Sequence, residues 1–386
     1  MNTSNIQVDP ADLPFAAQCT EPMTYCYPPQ QNMFQFWTNL TIDLYGGYFM
    51  TPNGNFTNGD MGENRGHSGG MYENYYLHIF NNTRRIIAQC DASGERGLSG
   101  VMRIVQAYGT LMTTDAYGPI PYSSILSGEN EVYFEFDSQK DLYKAMLEDL
   151  STAITDISAM GADEIAKLKS FDCWCNGDKD LWVKIANTMK LRMALRLSKR
   201  ETEAGNAGMN LKAIATEAAQ NTLATVNKDI LIDKSLENEM WLMFNWGDCG
   251  FNANLVTIMS GTKDPRQPLY MTLNTGDIKN EAGTTTVAAN SQYLGIRFAS
   301  GLPAKPNSWG NFSGWIQGNN GSSYSMPLPI MKAAEAYFLL AEAKLRWDIG
   351  SESVKNLYEN GIRVSMTNEL AYRGLMPESK NIRKEQ

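Results

Sequence analysis

Histidine is almost missing from this chain: its 386 residues hold two, His67 and His78. A Ser-His-Asp triad therefore has little to draw on, and no Gly-x-Ser-x-Gly elbow accompanies them. Phosphate-cradling and dinucleotide-binding glycine loops are also absent. Charged residues make up only 19%, with a net charge of −9. That balance works against general nucleic-acid binding, which needs a positive surface to displace counterions, and against a basic patch on anionic lipid. No apolar run approaches the roughly 20 residues of a membrane span. The opening MNTSNIQVDPADLP has neither a basic n-region nor an apolar h-region, so no signal peptide is expected within it. Close cysteine pairs are wanting as well. Cys173 and Cys175 are one residue apart, and Cys19, Cys26, Cys90 and Cys249 are scattered. Zinc sites repeat thiolate pairs at wider gaps, so neither a metal nor a cofactor is expected. The cysteines read as small buried hydrophobes, with a Cys19–Cys26 or Cys173–Cys175 disulfide left open.

What is present is a hydrophobic fraction of 43%, enough for a core, with 32 Gly, 18 Tyr and 8 Trp. In an acidic chain this suits an uncharged ligand better than a phosphorylated one. The first 31 residues, rich in proline and polar groups, read as an extended arm. Apolar residues at helical spacing follow in 32–48 (Phe34, Trp37, Ile42, Tyr45), then a glycine- and asparagine-rich loop over 51–71. Helices are predicted over 72–89, 98–113, 138–157, 181–200 and 210–221. Asp137 or Ser138 caps the third, and Trp182, Ile185, Met189 and Met193 form a buried stripe on the fourth. Periodicity fades between 222 and 328, where short strand-like runs such as SQYLGIRF appear. It returns at 330–347 (Met331, Ala334, Phe338, Ala341, Leu345) and in a partner helix over 352–366. Paired amphipathic helices with small residues at close approaches suggest degenerate tetratricopeptide-type pairs or a generic helical bundle.

Four segments carry a resemblance when taken in order. They are TTDAYGPIPYSSIL at 113–126, WVKIANTMKLRMALRLS at 182–198, the Asp264-Pro265-Arg266 stretch running to Tyr270, and MPLPIMKAAEAYFLLAEAKLRW at 326–347. Together they resemble the SusD/RagB-like family of outer-membrane nutrient-binding lipoproteins. The resemblance implies a mainly α SusD-like fold with a large irregular, loop-rich region and short hairpins. Its layout would be a single domain over 1–386: arm 1–31, helical block 32–221, loop-rich region 222–328, helix pair 329–366 and atypical tail 367–386. It also implies a binding protein rather than an enzyme, which captures oligosaccharide or polysaccharide and delivers it to a SusC-like TonB-dependent transporter. The implied location is the cell-surface face of the outer membrane, through an N-terminal lipid anchor that this chain does not show. Two departures stand out. Pro119 replaces the family's usual Asp, and the tail NELAYRGLMPESKNIRKEQ matches no family segment. A peptide or glycopeptide binder of the RagB type, or a helical scaffold without a small ligand, are the alternatives.

Glu335 and Glu342 share a helix face. As a catalytic pair they would need a cleft, so pairing with arginines of adjoining helices, Arg192 and Arg196 among them, is the favoured reading. Sugar recognition asks for less. Pyranose rings offer apolar C–H faces to aromatic rings, and amides and charged groups take the hydroxyls. The loop 303–324 supplies Trp309, Phe312, Trp315 and Tyr324 among Gly, Asn and Ser; packing of these rings against helices is the alternative. Arg65, Tyr72, Asn74 and Tyr75, beside the glycine-rich loop, are second candidates. Trp37, Trp182 and Trp347 lie on helical stripes and are assigned to the core.

Overall fold

The computed structural model describes residues 13–27, 31–51, 56, 62, 64–128, 133–232, 239–280, 282–298, 311–315 and 328–373. Its contacts fall into two compact units. One comprises Met1–Tyr27, Tyr72–Ile232 and Leu328–Ser365; the other comprises Pro28–Met71, Asp233–Pro327 and Met366–Gln386. Each unit is assembled from separated segments, so the expected helical block 32–221 contributes to both.

The longer helices of the first unit are α1 (Phe15–Tyr25), α2 (Asn81–Ser93), α3 (Arg96–Tyr117), α4 (Gln139–Ser158), α5 (Ala162–Lys169), α6 (Lys179–Arg196), α7 (Leu211–Ala218), α8 (Ala333–Trp347) and the first part of α9 (Val354–Arg373). Helix α1 replaces the extended arm expected there. Cys19, Met23 and Cys26 recur at helical spacing and are all buried, so their burial overrides the local signal of Pro22 inside the helix. Capping follows the sequence more closely. Ser138 accepts from the Asp141 N–H at the start of α4, and Asp178 accepts from Asp180 and Leu181 at the start of α6.

Helix α6 is the hub, contacting α4, α7 and α8, while α3 lies between α2 and α4. These contacts establish helix pairs, not a repeat. Closeness comes from small residues: a Cβ on Gly100 of α3 would lie 3.2 Å from the Ala153 backbone of α4. Trp182 of α6 is fully buried and stacks on Trp174 with centroids 5.2 Å apart. Beside them Asp172 saturates its carboxylate. It accepts from the Trp174, Cys175 and Gly177 N–H groups and from Trp182 Nε1, at 2.8–3.0 Å. That network, rather than a disulfide, organises the Cys173–Cys175 loop. All six cysteines are free, and five of them are buried.

The family-like helix α8 is held by charge. Arg192 of α6 donates two hydrogen bonds to Glu335, at 2.5 and 2.7 Å. Burial works against the Arg192 charge, but Glu335 outweighs it and holds the guanidinium above its ordinary pKa. Glu342 instead pairs with Arg346 of its own helix, and Arg196 pairs with Asp115. The buried face of α8 is also offset from the predicted stripe. Leu345 is 73% exposed, while Ala333, Ala336 and Ala343 are sealed in, because alanines let α8 approach its neighbours. Phe338 is partly exposed and packs on Tyr358 of α9 at 5.5 Å. Trp347 is half-buried and donates Nε1–H to Glu201.

The second unit has a π-type helix, Phe34–Asp43. Its buried face is Phe34, Trp37, Leu40 and Leu44, leaving the predicted Ile42 and Tyr45 on the exposed side. Short antiparallel pairs join Phe49–Met50 to Gly250–Phe251, Met271–Asn274 to Ser313–Trp315, and Ile278–Lys279 to Thr285–Val287. The run SQYLGIRF forms only a single bridge, Asn252 to Ile296. A Cβ on Gly295 would lie 2.7 Å from the Ala253 backbone, so the chain there packs backbone to backbone rather than extending a ladder.

Two predictions follow from these contacts. Glu335→Ala leaves the Arg192 guanidinium without its carboxylate. A fully buried pair broken this way costs about 3–5 kcal/mol. Glu335 is 36% exposed on its side chain, so a loss of about 2 kcal/mol in urea unfolding is expected. In the second unit, the Asp43 carboxylate meets no donor among the described residues, and burial pushes its pKa up to about 7 from its ordinary 3.8. Between those values the folded chain keeps a proton that the unfolded chain has released. Stability should therefore fall as pH rises through that window and level off above it. Asp43→Asn should flatten the profile of urea midpoints against pH; an unchanged slope would assign the dependence elsewhere.

Candidate functional site

The turn that ends α3 builds one wall of a cleft in the first unit. Gly118 sits at φ +78°, ψ −128°, a conformation that side chains oppose, and Pro119 and Pro121 cannot continue a helix. The chain leaves α3 abruptly, and Ile120–Pro121 pairs antiparallel with Phe136–Asp137. Asp137 then ties the turn. Its carboxylate accepts from the Tyr122 and Ser123 N–H groups and from Ser123 Oγ, at 2.9, 2.8 and 2.5 Å. This fixes Pro121 and Ile125 against Phe134 on the returning segment.

The opposite wall comes from the helical turn Tyr75–Phe80 and the start of α2. Tyr72 and Tyr76 have centroids 4.7 Å apart at 54°. Tyr76 donates its hydroxyl to Pro121 O at 2.6 Å, joining the walls; burial pushes its pKa up, so it stays a neutral donor. The Tyr72 N–H donates to the Tyr117 hydroxyl. The open cleft between them is about 570 Å³, and its lining includes Tyr72, Glu73, Tyr76, Phe134, Asn81 and Arg84. That volume lies within the usual range for small-ligand sites. Aromatic and aliphatic walls with an amide and a cation at the edge can stack a ring and hydrogen-bond its substituents.

A second, more polar cleft of about 910 Å³ shares Asn81 and Arg84 as a common wall. Arg103 lies in its floor and bridges Asp91 and Asp149 at 2.9 and 2.6 Å. Burial opposes the Arg103 charge, but the two carboxylates outweigh it and hold its pKa above the ordinary value.

The sequence candidates divide among these surroundings. Tyr72 lines the first cleft. Tyr75 is 1% exposed and turns inward, its hydroxyl 2.7 Å from Thr110 Oγ1. Asn74 is buried and donates to Tyr25 O. Both are core residues in this arrangement, a correction to their reading as ligand contacts: each side chain is buried and spends its polar group inside the protein. In the second unit Arg65 opens the short helix Arg65–Ser68, and its side chain lies outside the described residues, as do Trp309 and Tyr324. Phe312 is half-buried. Trp315 is 9% exposed and packs on Phe244 and Phe251 at 5.8 and 6.0 Å. That places the Trp315 ring inside the second unit's aromatic cluster. Sequence reasoning missed Tyr76, Phe134 and Arg84. Their signals were an aromatic run, Tyr72 to Tyr76, and an exposed cluster, Tyr133, Phe134 and Phe136, just after a proline-locked turn.

Asp137→Ala removes the acceptor shared by three donors in the turn. A loss of about 1–3 kcal/mol in thermal or urea unfolding is expected, with faster proteolytic cutting near 118–136. A variant as stable as its parent would show that the prolines alone hold this wall.

The comparisons with known proteins agree with this architecture. A family model described as "SusD-like: Susd and RagB outer membrane lipoprotein" matches residues 4–375. A SusD-like protein from Bacteroides thetaiotaomicron VPI-5482 is 25% identical, with a TM-score of 0.75 over 96% of this chain and 72% of its own. A SusD homologue from Bacteroides ovatus ATCC 8483 is also 25% identical, with a TM-score of 0.74 over 95% and 71%. A chitin-binding SusD homologue from Flavobacterium johnsoniae shares the fold at 23% identity, with a TM-score of 0.76 over 95% and 72%. No curated protein matches this chain.

Proposed function

We propose that this chain, which belongs to the SusD-like family of outer-membrane lipoproteins, binds oligosaccharide at the outer cell surface and passes it to a SusC-like TonB-dependent transporter. Members of the family are binding proteins and not enzymes. The observation that carries the reading is the cleft of about 570 Å³ walled by Tyr72, Tyr76 and Phe134 and rimmed by Asn81 and Arg84. Aromatic faces recognise the apolar side of a pyranose, and the rim groups take its hydroxyls. The chitin-binding relative of the same fold supports saccharide as the ligand class. Attachment by an N-terminal lipid follows the family description, and no described helix is long and apolar enough to cross a membrane.

Of the exposed side chains, Leu77 and Phe134 line the cleft, Leu126 lines its larger neighbour, and Tyr133 and Phe136 flank Phe134 in the chain. They offer the transporter an apolar surface next to the ligand. Hand-over would then need no long transfer, because the bound sugar already sits beside the docking face.

Isothermal titration against a panel of oligosaccharides and polysaccharides tests the reading. At least one saccharide should bind, and Tyr72→Ala should weaken it roughly 2- to 10-fold, the value of one aromatic contact. A folded protein that binds no member of the panel overturns the assignment. Binding that is indifferent to Tyr72 moves the site away from this cleft.

A further inference from the structure

The two adjoining clefts differ in which of their polar groups already have partners. In the larger one, each lining carboxylate is engaged. Asp91 and Asp149 hold Arg103, and Asp137 accepts from the Tyr122–Ser123 turn. Asp141 accepts from Ser138 Oγ, and Glu148 faces Lys144 at 4.0 Å. The arginines at the shared wall are different. Arg84 makes one hydrogen bond, from Nε to the Asn81 amide oxygen at 3.3 Å. Arg85 makes one, from Nη1 to the Gln18 amide oxygen at 2.6 Å. Neither has a carboxylate partner among the described residues. In the floor, Gln106 is 3% exposed and its amide nitrogen meets no acceptor.

Glu73 on the aromatic cleft keeps a carboxylate with no partner among the described residues; the other unspent capacity consists of N–H donors, on Gln106 and on the two guanidinium groups in successive positions of α2. A guanidinium has five donors in a planar fork that matches a carboxylate or sulfate. A neutral sugar hydroxyl uses such a fork poorly, whereas an anionic substituent can take two parallel bonds from it. Arg84 also lines the aromatic cleft, which places a cation at the edge of the stacking surface formed by Tyr72, Tyr76 and Phe134.

We propose that the saccharide taken by this protein is acidic. Its ring stacks in the aromatic cleft, and its carboxylate or sulfate is held by Arg84 at the wall between the two clefts and by Arg85 beside it in the larger one. The inference rests on the glycan-binding reading and adds the charge of the ligand to it. It also departs from the uncharged ligand expected from the whole-chain charge of −9. Net charge acts at long range, and salt screens it beyond about 8 Å at physiological ionic strength. Recognition is decided at contact, where Arg84 and Arg85 lack carboxylate partners; Glu73, also on the aromatic cleft, is the one carboxylate there that the ligand's anion has to avoid.

The test is calorimetric titration with three probes: a galacturonic acid trisaccharide, a sulfated heparin-derived oligosaccharide, and a neutral galactose trisaccharide. One acidic probe should bind at least about tenfold more tightly than the neutral one. That preference should shrink several-fold when sodium chloride rises from about 50 to about 300 mM. Arg84 is exposed on α2, so Arg84→Gln should fold normally, lose about tenfold in affinity for the acidic probe and lose most of the salt dependence. Circular dichroism melts confirm that the variant is intact. The carboxylated and sulfated arms distinguish the two anions. Equal binding of acidic and neutral probes, or an Arg84→Gln variant with unchanged preference, overturns the inference and leaves glycan binding standing. If these probes and the wider panel all fail to bind, the glycan reading itself falls.

Discussion

Arg192 and Glu335 stand 143 positions apart in the chain, and their pairing requires α6 and α8 to lie side by side. Between them the chain leaves the first unit after Ile232 and re-enters it at Leu328. The entropy of closing such an excursion grows only with the logarithm of its length, so a long detour costs little more than a short one. What the fold needs is a specific return. The antiparallel pair of Ile230–Ile232 with Leu328–Met331 supplies its register. Asp229 accepts from the Ala333 N–H at 2.8 Å, placing a carboxylate at the start of α8 where the helix dipole favours it. The Arg192 fork then fixes α8 against α6. With the hub closed, the remaining helices have a surface to pack on.

The candidate site depends on this core indirectly. Tyr75 and Phe80 are buried in the helical turn that precedes α2, and their anchoring leaves Tyr72, Tyr76 and Leu77 on the outer face of the same turn. Gly118 and the two prolines end α3 where its neighbour segment can fold back, and Asp137 locks the return. One wall is a helix face and the other a constrained turn, so neither relies on a free loop. A stacking surface held this way is pre-organised, which lowers the ordering cost of binding a small ligand.

Much of the helical architecture was legible in the sequence, because amphipathic spacing and caps are local. Ser138 and the α6 stripe around Trp182 behave as their patterns imply. The failures were non-local. Helix α1 carries buried residues at helical spacing, but Pro22 and a polar composition obscured them until the rest of the unit supplied a surface. Leu345 satisfies the period of α8 yet faces solvent, since the contact face is chosen by the small alanines. SQYLGIRF has strand composition, but a strand needs a partner, and only Ile296 finds one. The candidate cleft was only partly legible. Of the aromatics expected beside the glycine-rich loop, Tyr72 lines the cleft. Which aromatics face outward depends on a helix phase that no single ring reveals, so Tyr75 was taken and Tyr76 passed over.

The same contrast between local and summed quantities applies to charge. A chain with 42 acidic and 33 basic residues repels anions at a distance, and composition alone points toward neutral ligands. Pairing rearranges that account. Asp91, Asp137, Asp141 and Asp149 in the larger cleft accept hydrogen bonds from the protein itself, and Glu148 faces Lys144 at 4.0 Å. Arg84 and Arg85 lean only on amide oxygens, which leaves most of their donors facing the ligand. What a surface can bind is set by the groups left without partners after folding. Here Arg84 and Arg85 have the opposite sign to the chain that carries them, and Glu73 on the aromatic cleft has the same sign.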